Sequence, residues 1–109
     1  MEEYKVKTFN LFGEVWKAIP VKGLIKETVN GEERAYCGMT YHSQRKVEYC
    51  ICDDGGKPFT KDTIRITLFH ELMHAMFGCG QYWDENDNEK LVEWCAKCLN
   101  EIFKKGIVK

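Results

Sequence analysis

Residues 60–78 read TKDTIRITLFHELMHAMFG and carry the pattern of one amphipathic helix. Thr60 or Asp62 can cap a helix N-terminus, and Gly78 is the kind of residue that commonly follows a helix C-terminus. Between these signals, apolar side chains recur at the helical period in a stripe formed by Ile64, Leu68, Leu72 and Met76. We therefore predict a helix over residues 60–78, with this stripe packed against the rest of the molecule.

The predicted helix contains His70-Glu71-Leu72-Met73-His74, an H-E-x-x-H sequence with two of the three histidines in the chain. Spacing of four residues puts His70 and His74 on one face, one turn apart, so that both imidazoles can bind a single zinc ion. Glu71 lies beside them, where it can take a proton from a metal-bound water. Such a pattern also matches ordinary helices by chance, but the helical context favours a metal site.

A catalytic zinc ion needs a third protein ligand, and the segment 87–105 offers candidates. This segment predicts a second amphipathic helix, closed by Lys104, Lys105 and Gly106. Glu89 and Glu93 lie four residues apart on one face, where two carboxylates repel each other. A zinc ligand followed one turn later by a carboxylate that supports the site would remove this conflict. The alternative is an acidic helix N-terminus favoured by the helix dipole.

The segments HELMHA (70–75) and EKLVEWCA (89–96), joined by a short loop, resemble the small gluzincin metallopeptidases of the ImmA/IrrE type. They are especially similar to the short versions encoded by phages and mobile elements. Suggestive similarity extends to segments 10–16 and 37–41. The resemblance implies that Glu89 is the third zinc ligand and that Glu93 orients a ligand histidine. It also implies that an extended substrate peptide adds to an edge strand beside the metal.

The first half of the chain, residues 1–56, has the pattern of β-strands. Asn30-Gly31, between segments 24–29 and 34–41, is the strongest hairpin signal, and Gly13 marks a second hairpin or a bulge. Segment 46–53 alternates Val47, Tyr49 and Ile51 with other residues, which predicts another strand. We predict one domain over residues 1–109 of class α+β, in which a small antiparallel sheet precedes the H-E-x-x-H helix and the C-terminal glutamate helix.

Composition narrows the classes of function. The formal net charge is −1 and the basic residues are scattered, which argues against a nucleic-acid partner. The charged N-terminus has no apolar region typical of a signal peptide, and no apolar run has membrane-spanning length. These features predict a cytoplasmic protein with no membrane partner. The sequence predicts no particular oligomeric state.

The six cysteines allow two interpretations. Cys50 and Cys52 on a strand, with Cys95 and Cys98 on a helix, have the residue types of a second, structural zinc site. We favour buried free thiols, because Cys95 and Cys98 fall on the predicted apolar stripe of the second helix and free cysteine behaves as a small hydrophobe. The other members of that stripe are Leu91, Leu99 and Ile102.

The expected function is zinc-dependent hydrolysis of a peptide bond in an intracellular protein, and a regulator is one candidate substrate. His70, His74 and Glu89 would hold the zinc ion, and Glu71 would activate the attacking water. Two other classes remain open: a non-enzymatic, zinc-stabilised interaction module, and a metal-free binding module. An additional donor should stabilise the oxyanion. Tyr41, His42 and Tyr82 are candidates of equal weight, and the substrate-binding residues are unknown.

Overall fold

The computed structural model describes residues 4–106 and confirms the predicted class, α+β. The strands are β1 (Lys7–Leu11), β2 (Glu14–Lys22), β3 (Ile25–Val29), β4 (Glu32–Tyr36), β5 (Gly38–Tyr41) and β6 (Lys46–Cys52). The helices are α1 (Lys61–Cys79), α2 (Trp83–Asn86) and α3 (Glu89–Lys104). None of the helices within residues 4–106 combines the length and apolar character needed to span a bilayer.

The main sheet has four strands in the order β1-β2-β6-β5 and is mixed rather than antiparallel. β1 and β2 pair antiparallel, as do β5 and β6, but the central pair β2–β6 is parallel. The prediction of an antiparallel sheet was wrong at this pair. After β2 the chain leaves the main sheet and forms β3 and β4. It returns as β5 at the far edge of the sheet, and β6 then fills the position between β5 and β2, parallel to β2. β5 is consequently an edge strand.

The predicted Asn30-Gly31 hairpin is present, and Gly13 lies in a second hairpin; both have left-handed turn residues at their tips. The predicted strand 34–41 is divided between β4 and β5, which belong to different sheets. Asn30 and Gly31 have φ of 52° and 81°, and Phe12 and Gly13 have φ of 50° and 82°. Positive φ at both central residues is the requirement of a type I′ turn, whose twist matches that of the flanking strands. The Asn30-Gly31 hairpin, β3–β4, forms a separate two-stranded sheet that is largely exposed. Asp54 holds its base by accepting a hydrogen bond from Leu24 N at 3.0 Å.

The core lies between the four-stranded sheet and α1. Val47, Tyr49 and Ile51 of β6 are buried as the alternation predicted, and Trp16 of β2 joins them. From α1, the buried Ile64 and Ala75 and the half-buried Leu68, Leu72 and Cys79 pack on these strands. The predicted stripe was wrong at Met76, which is exposed. The preceding residue, Ala75, faces the sheet instead, and its small side chain lets α1 approach the strands closely.

α3 packs on α1 through a face that its sequence pattern did not predict. The buried residues are Val92, Ala96 and Asn100, whereas Leu99 and Ile102 of the predicted stripe are exposed. Asn100 accepts a hydrogen bond from Arg65 of α1 at 3.1 Å, so this polar residue is satisfied in the interface. Asn88 caps α3 by accepting from Leu91 N at 3.0 Å, which makes Glu89 the first residue of the helix. The interface therefore turns the N-terminal carboxylates of α3 toward α1.

Candidate metal centre

His70, His74 and Glu89 meet where α1 and the start of α3 come together. Nε2 of His70 lies 2.9 Å from Glu89 Oε1, and Nε2 of His74 lies 3.0 Å from Glu89 Oε2. Within residues 4–106, this trio is the single group of three or more histidine, cysteine or acidic side chains whose ligand atoms lie close enough together, within 4.8 Å, to hold a metal ion. The sequence had singled out these three residues, and the structure brings them together.

The second nitrogen of each histidine has a partner of its own. His70 Nδ1 lies 2.8 Å from Glu93 Oε1, and His74 Nδ1 lies 3.0 Å from Asn86 Oδ1. An acceptor at Nδ1 fixes the orientation of the ring and directs the Nε2 lone pair away from it, as is usual around metal-binding histidines. The structure thus places Glu93 where the resemblance put it. Asn86 was missed, because it lies in α2, a single turn of helix within the predicted loop.

Glu71 lies on the sheet side of the same cleft. It is 7% exposed, and its Oε1 accepts a hydrogen bond of 2.7 Å from Thr40 Oγ1 of β5. Thr40 Oγ1 is also 2.9 Å from the Glu71 carbonyl oxygen. A side chain at Gly38 would lie 2.8 Å from Glu71 Oε2, so the absence of a Cβ there gives the carboxylate its space. Sequence periodicity carried no signal for Thr40 or Gly38, because neither contact is local.

The charged groups of the site influence one another's pKa values. Burial lowers the pKa of His70, but the hydrogen bond with Glu93 and the nearby carboxylates of Glu71 and Glu89 outweigh it and raise the pKa above its ordinary value. Burial raises the pKa of Glu71, against the opposing effects of the Thr40 hydroxyl, His70 and His74. Bringing a cation into the site would favour the ionised carboxylate and the neutral imidazole. The acidic and basic groups are therefore arranged around a position that suits a positive ion.

The donor set fits a zinc ion chemically. Two imidazole nitrogens and a carboxylate oxygen are typical zinc ligands, at about 2.0–2.2 Å from the metal. Tetrahedral geometry then separates ligand atoms by about 3.3–3.5 Å. The spacings of 2.9 and 3.0 Å, each to a different oxygen of Glu89, are shorter than this, so Glu89 would have to move back to admit an ion. Glu89 is free to adjust, because its side chain is 66% exposed.

A cavity of about 690 Å³ opens over this group, between β5, α1 and the start of α3. Of the three candidates for an oxyanion donor, His42 lines this cavity. Its ring packs edge-on against Trp16 and Trp83, with centroids at 6.2 and 5.1 Å. Tyr41 instead donates its hydroxyl to Glu48 at 3.1 Å, and Tyr82 is exposed and lies against Gly80. Of the three candidates for the oxyanion donor, His42 alone is therefore in a position to contact a molecule in the cavity.

The cysteines are free thiols and do not gather into a second metal site within residues 4–106. Cys50 is fully buried in β6, with Sγ 3.5 Å from the carbonyl oxygen of Tyr36, which accepts its hydrogen bond. Cys95 and Cys98 are half-buried on the outer side of α3, away from the sheet that holds Cys50 and Cys52. Cys37 is exposed at the rim of the cavity.

These environments predict a wide spread of thiol reactivity. Burial raises the pKa of Cys50 to about 11, and the neutral thiol is a poor nucleophile. With a maleimide at pH 8 in the native state, we expect Cys37 to be labelled first and Cys50 only after unfolding, as resolved by peptide mass spectrometry. Because a raised folded-state pKa favours the folded protein below pH 9 and the gain disappears as pH rises to about 11, protection should fall over that window. Native labelling of Cys50 as fast as Cys37 would contradict the burial.

The residues that suggested the resemblance lie on two neighbouring helices. His70, Glu71 and His74 lie on α1, and Glu89 and Glu93 lie on α3 four residues apart, in the order that the resemblance implied. Asn86 and Thr40 are added by the fold, and the sheet edge beside them is formed by β5. Beyond this arrangement there is no wider likeness to report, since no family model, curated protein or solved structure matches the chain.

Proposed function

We propose that this chain is a zinc-dependent metallopeptidase of the gluzincin type that cleaves a peptide bond in an intracellular protein. One observation carries the proposal: beside the trio of His70, His74 and Glu89 lies a further carboxylate, Glu71, buried in the cleft and outside that trio. Burying an ionisable group is unfavourable, and a purely structural metal site needs no carboxylate beyond its ligands. A general base for hydrolysis accounts for Glu71.

His70, His74 and Glu89 would hold the zinc ion, with Glu93 and Asn86 orienting the two rings. Zinc bound there would lower the pKa of a coordinated water from ~15.7 towards ~7 and polarise the scissile carbonyl. Glu71 would take up the proton of the attacking water and deliver it to the leaving amine. The hydrogen bond from Thr40 to Oε1 fixes the carboxylate for both transfers.

The substrate in this proposal is an extended segment of a protein. β5 pairs with β6 along one edge and, within residues 4–106, no strand occupies its other edge. Cys37, Gly38, Met39 and Thr40 border the cavity along this strand. A peptide that adds to β5 would gain main-chain hydrogen bonds and pass across Glu71. His42, which also lines the cavity, would donate an N–H bond to the oxyanion that develops.

The second candidate is a zinc-stabilised interaction module without catalysis. It is favoured by the position of the ligands, since a metal held by His70, His74 and Glu89 would tie α3 to α1. This reading leaves the buried Glu71 without a role. Both readings suit a reducing compartment, the cytoplasm, in which the six thiols of the chain stay reduced.

The experiment common to both readings is metal stoichiometry. Protein purified without chelators should contain about one zinc ion per chain, and His70→Ala or His74→Ala should remove it, because two remaining ligands hold zinc poorly. Inductively coupled plasma mass spectrometry measures the metal, and His42→Gln, which changes the third histidine, is the control that should keep it. Protein that holds no metal and takes up none on addition of zinc would exclude both readings. Two zinc ions per chain would instead indicate a cysteine site.

A further inference from the structure

α3 turns a second apolar face outward. Its packing face against α1 holds Val92, Ala96 and Asn100. A different side of the helix carries what we term the outer stripe: Leu91, Trp94, Cys95, Cys98, Leu99 and Ile102. Trp94 is 66% exposed, Ile102 38% and Leu99 37%. A contiguous apolar strip on a helix, unlike single exposed apolar residues, marks a surface that another molecule covers.

The spacing of the outer stripe matches helix-to-helix pairing. Leu91, Cys95, Cys98 and Ile102 follow one another at intervals of four, three and four residues, which is the heptad pattern of a coiled-coil seam. This pattern explains why the sequence predicted the stripe to be buried, although the fold of a single chain leaves it exposed. We propose that the outer stripe is a homodimer interface, in which α3 pairs antiparallel with α3 of a second copy of this chain.

The stripe is complementary to itself in the antiparallel direction. A two-fold axis midway between Cys95 and Cys98 places Leu91 opposite the partner's Ile102. It places Cys95 opposite the partner's Cys98. Every contact is made twice, as a two-fold interface requires. The small cysteines lie at the centre, where the helices approach most closely, and the bulkier residues lie towards the ends.

Charge complementarity selects the antiparallel direction. Lys90 and Glu101 flank the outer stripe on the same side, near opposite ends of the helix. Antiparallel pairing brings Lys90 within reach of the partner's Glu101, twice per dimer. In a parallel pair the same flank of each helix would lie on opposite sides of the seam, so Lys90 would not face the partner's Glu101 and both attractions would be lost.

The dimer should be weak and should leave the metal centre open. A helix of 16 residues is about 24 Å long, so the interface falls below the ~800 Å² per partner of a standard complex, and dissociation in the micromolar range is expected. Glu89 and Glu93 point to α1, on the far side of α3 from the outer stripe. The proposed dimer therefore carries two clefts facing outward and does not depend on the proposed activity.

Sedimentation velocity of the full chain over a concentration range tests the proposal. We expect a reversible monomer–dimer equilibrium for wild type and for Lys17→Gln, a control on β2 that lowers the net charge by one, as Ile102→Asp does. Ile102→Asp should give monomer with a melting temperature close to wild type, because Ile102 lies outside the core. The proposal is overturned if the wild-type chain stays monomeric at all concentrations, or if the Ile102→Asp chain dimerises like wild type. The outer stripe would then be a contact surface for a different protein.

Charge exchange tests the direction of pairing. Lys90→Glu or Glu101→Lys alone turns two attractions into repulsions and should weaken dimerisation by about tenfold, whereas the double variant should restore it. Mild oxidation should link Cys95 to the partner's Cys98, and removing either thiol by substitution with alanine should abolish the link, as mapped by peptide mass spectrometry. Links of Cys95 to the partner's Cys95, or dimerisation that the single charge variants leave unchanged, would refute the antiparallel interface.

Discussion

Glu71→Gln is expected to lower proteolysis by ~100- to 10,000-fold, the usual contribution of a general base, while zinc content stays near one ion per chain. Glutamine keeps the shape of the side chain, and its carbonyl oxygen still accepts the hydrogen bond from Thr40. The melting temperature should therefore stay close to wild type. Cleavage is measured on proteins of a host-cell lysate by N-terminal peptide mass spectrometry, since the proposal names a class of substrate and not a single protein.

A matched carboxylate controls for the loss of charge. Glu48 accepts a hydroxyl hydrogen bond from Tyr41 at 3.1 Å, as Glu71 does from Thr40, but it does not line the cleft. Glu48→Gln should leave cleavage unchanged. If Glu71→Gln retains the effects of wild type, whereas His70→Ala loses both metal and effect, the metal is structural and the second candidate function replaces the peptidase.

The parts of the site that the sequence predicted are the ones determined by local spacing. The spacing of four residues from His70 to His74 is close to one helical turn, so any helix through this segment puts both rings on one face. The Asn30-Gly31 hairpin was predictable for the same reason, since the turn chemistry is contained in two residues. Glu89 and Glu93 could be assigned because their register on α3 is also local, although their distance from α1 is not.

The parts that the sequence did not predict depend on contacts between distant segments. The parallel pairing of β2 with β6 follows from where the chain re-enters the sheet, which no local pattern encodes. Thr40 reaches Glu71 across 31 residues and Asn86 reaches His74 from a short helix, so neither had a periodic signal. The error over the face of α3 has a different origin. Hydrophobic periodicity identifies an apolar face, but it does not say whether the rest of the same chain covers that face.

Replacing Glu89 and Glu93 of α3 one at a time should distinguish the zinc ligand from the residue that orients a ligand histidine. Glu89→Ala is expected to abolish zinc binding or weaken it severely, because two histidines then remain as protein ligands. Glu93→Ala should weaken binding by only ~10- to 100-fold, as losses of groups that orient a ligand do. Asn86→Ala, which removes the acceptor for His74 Nδ1, should fall in the same range. Competition with a chromophoric chelator measures the three affinities.

The positions of Glu89 and Glu93 in the structure support this difference in expected zinc affinity. Glu89 reaches Nε2 of both histidines, whereas Glu93 reaches only Nδ1 of His70, so one carboxylate lies among the metal-facing nitrogens and the other behind a ring. Both side chains are partly exposed, so neither change should unfold the chain. Glu85→Ala, in the acidic α2, controls for loss of nearby charge and should bind zinc as wild type does. Should Glu93→Ala empty the site while Glu89→Ala keeps its metal, Glu93 is the ligand and the register of α3 against α1 is wrong by one turn.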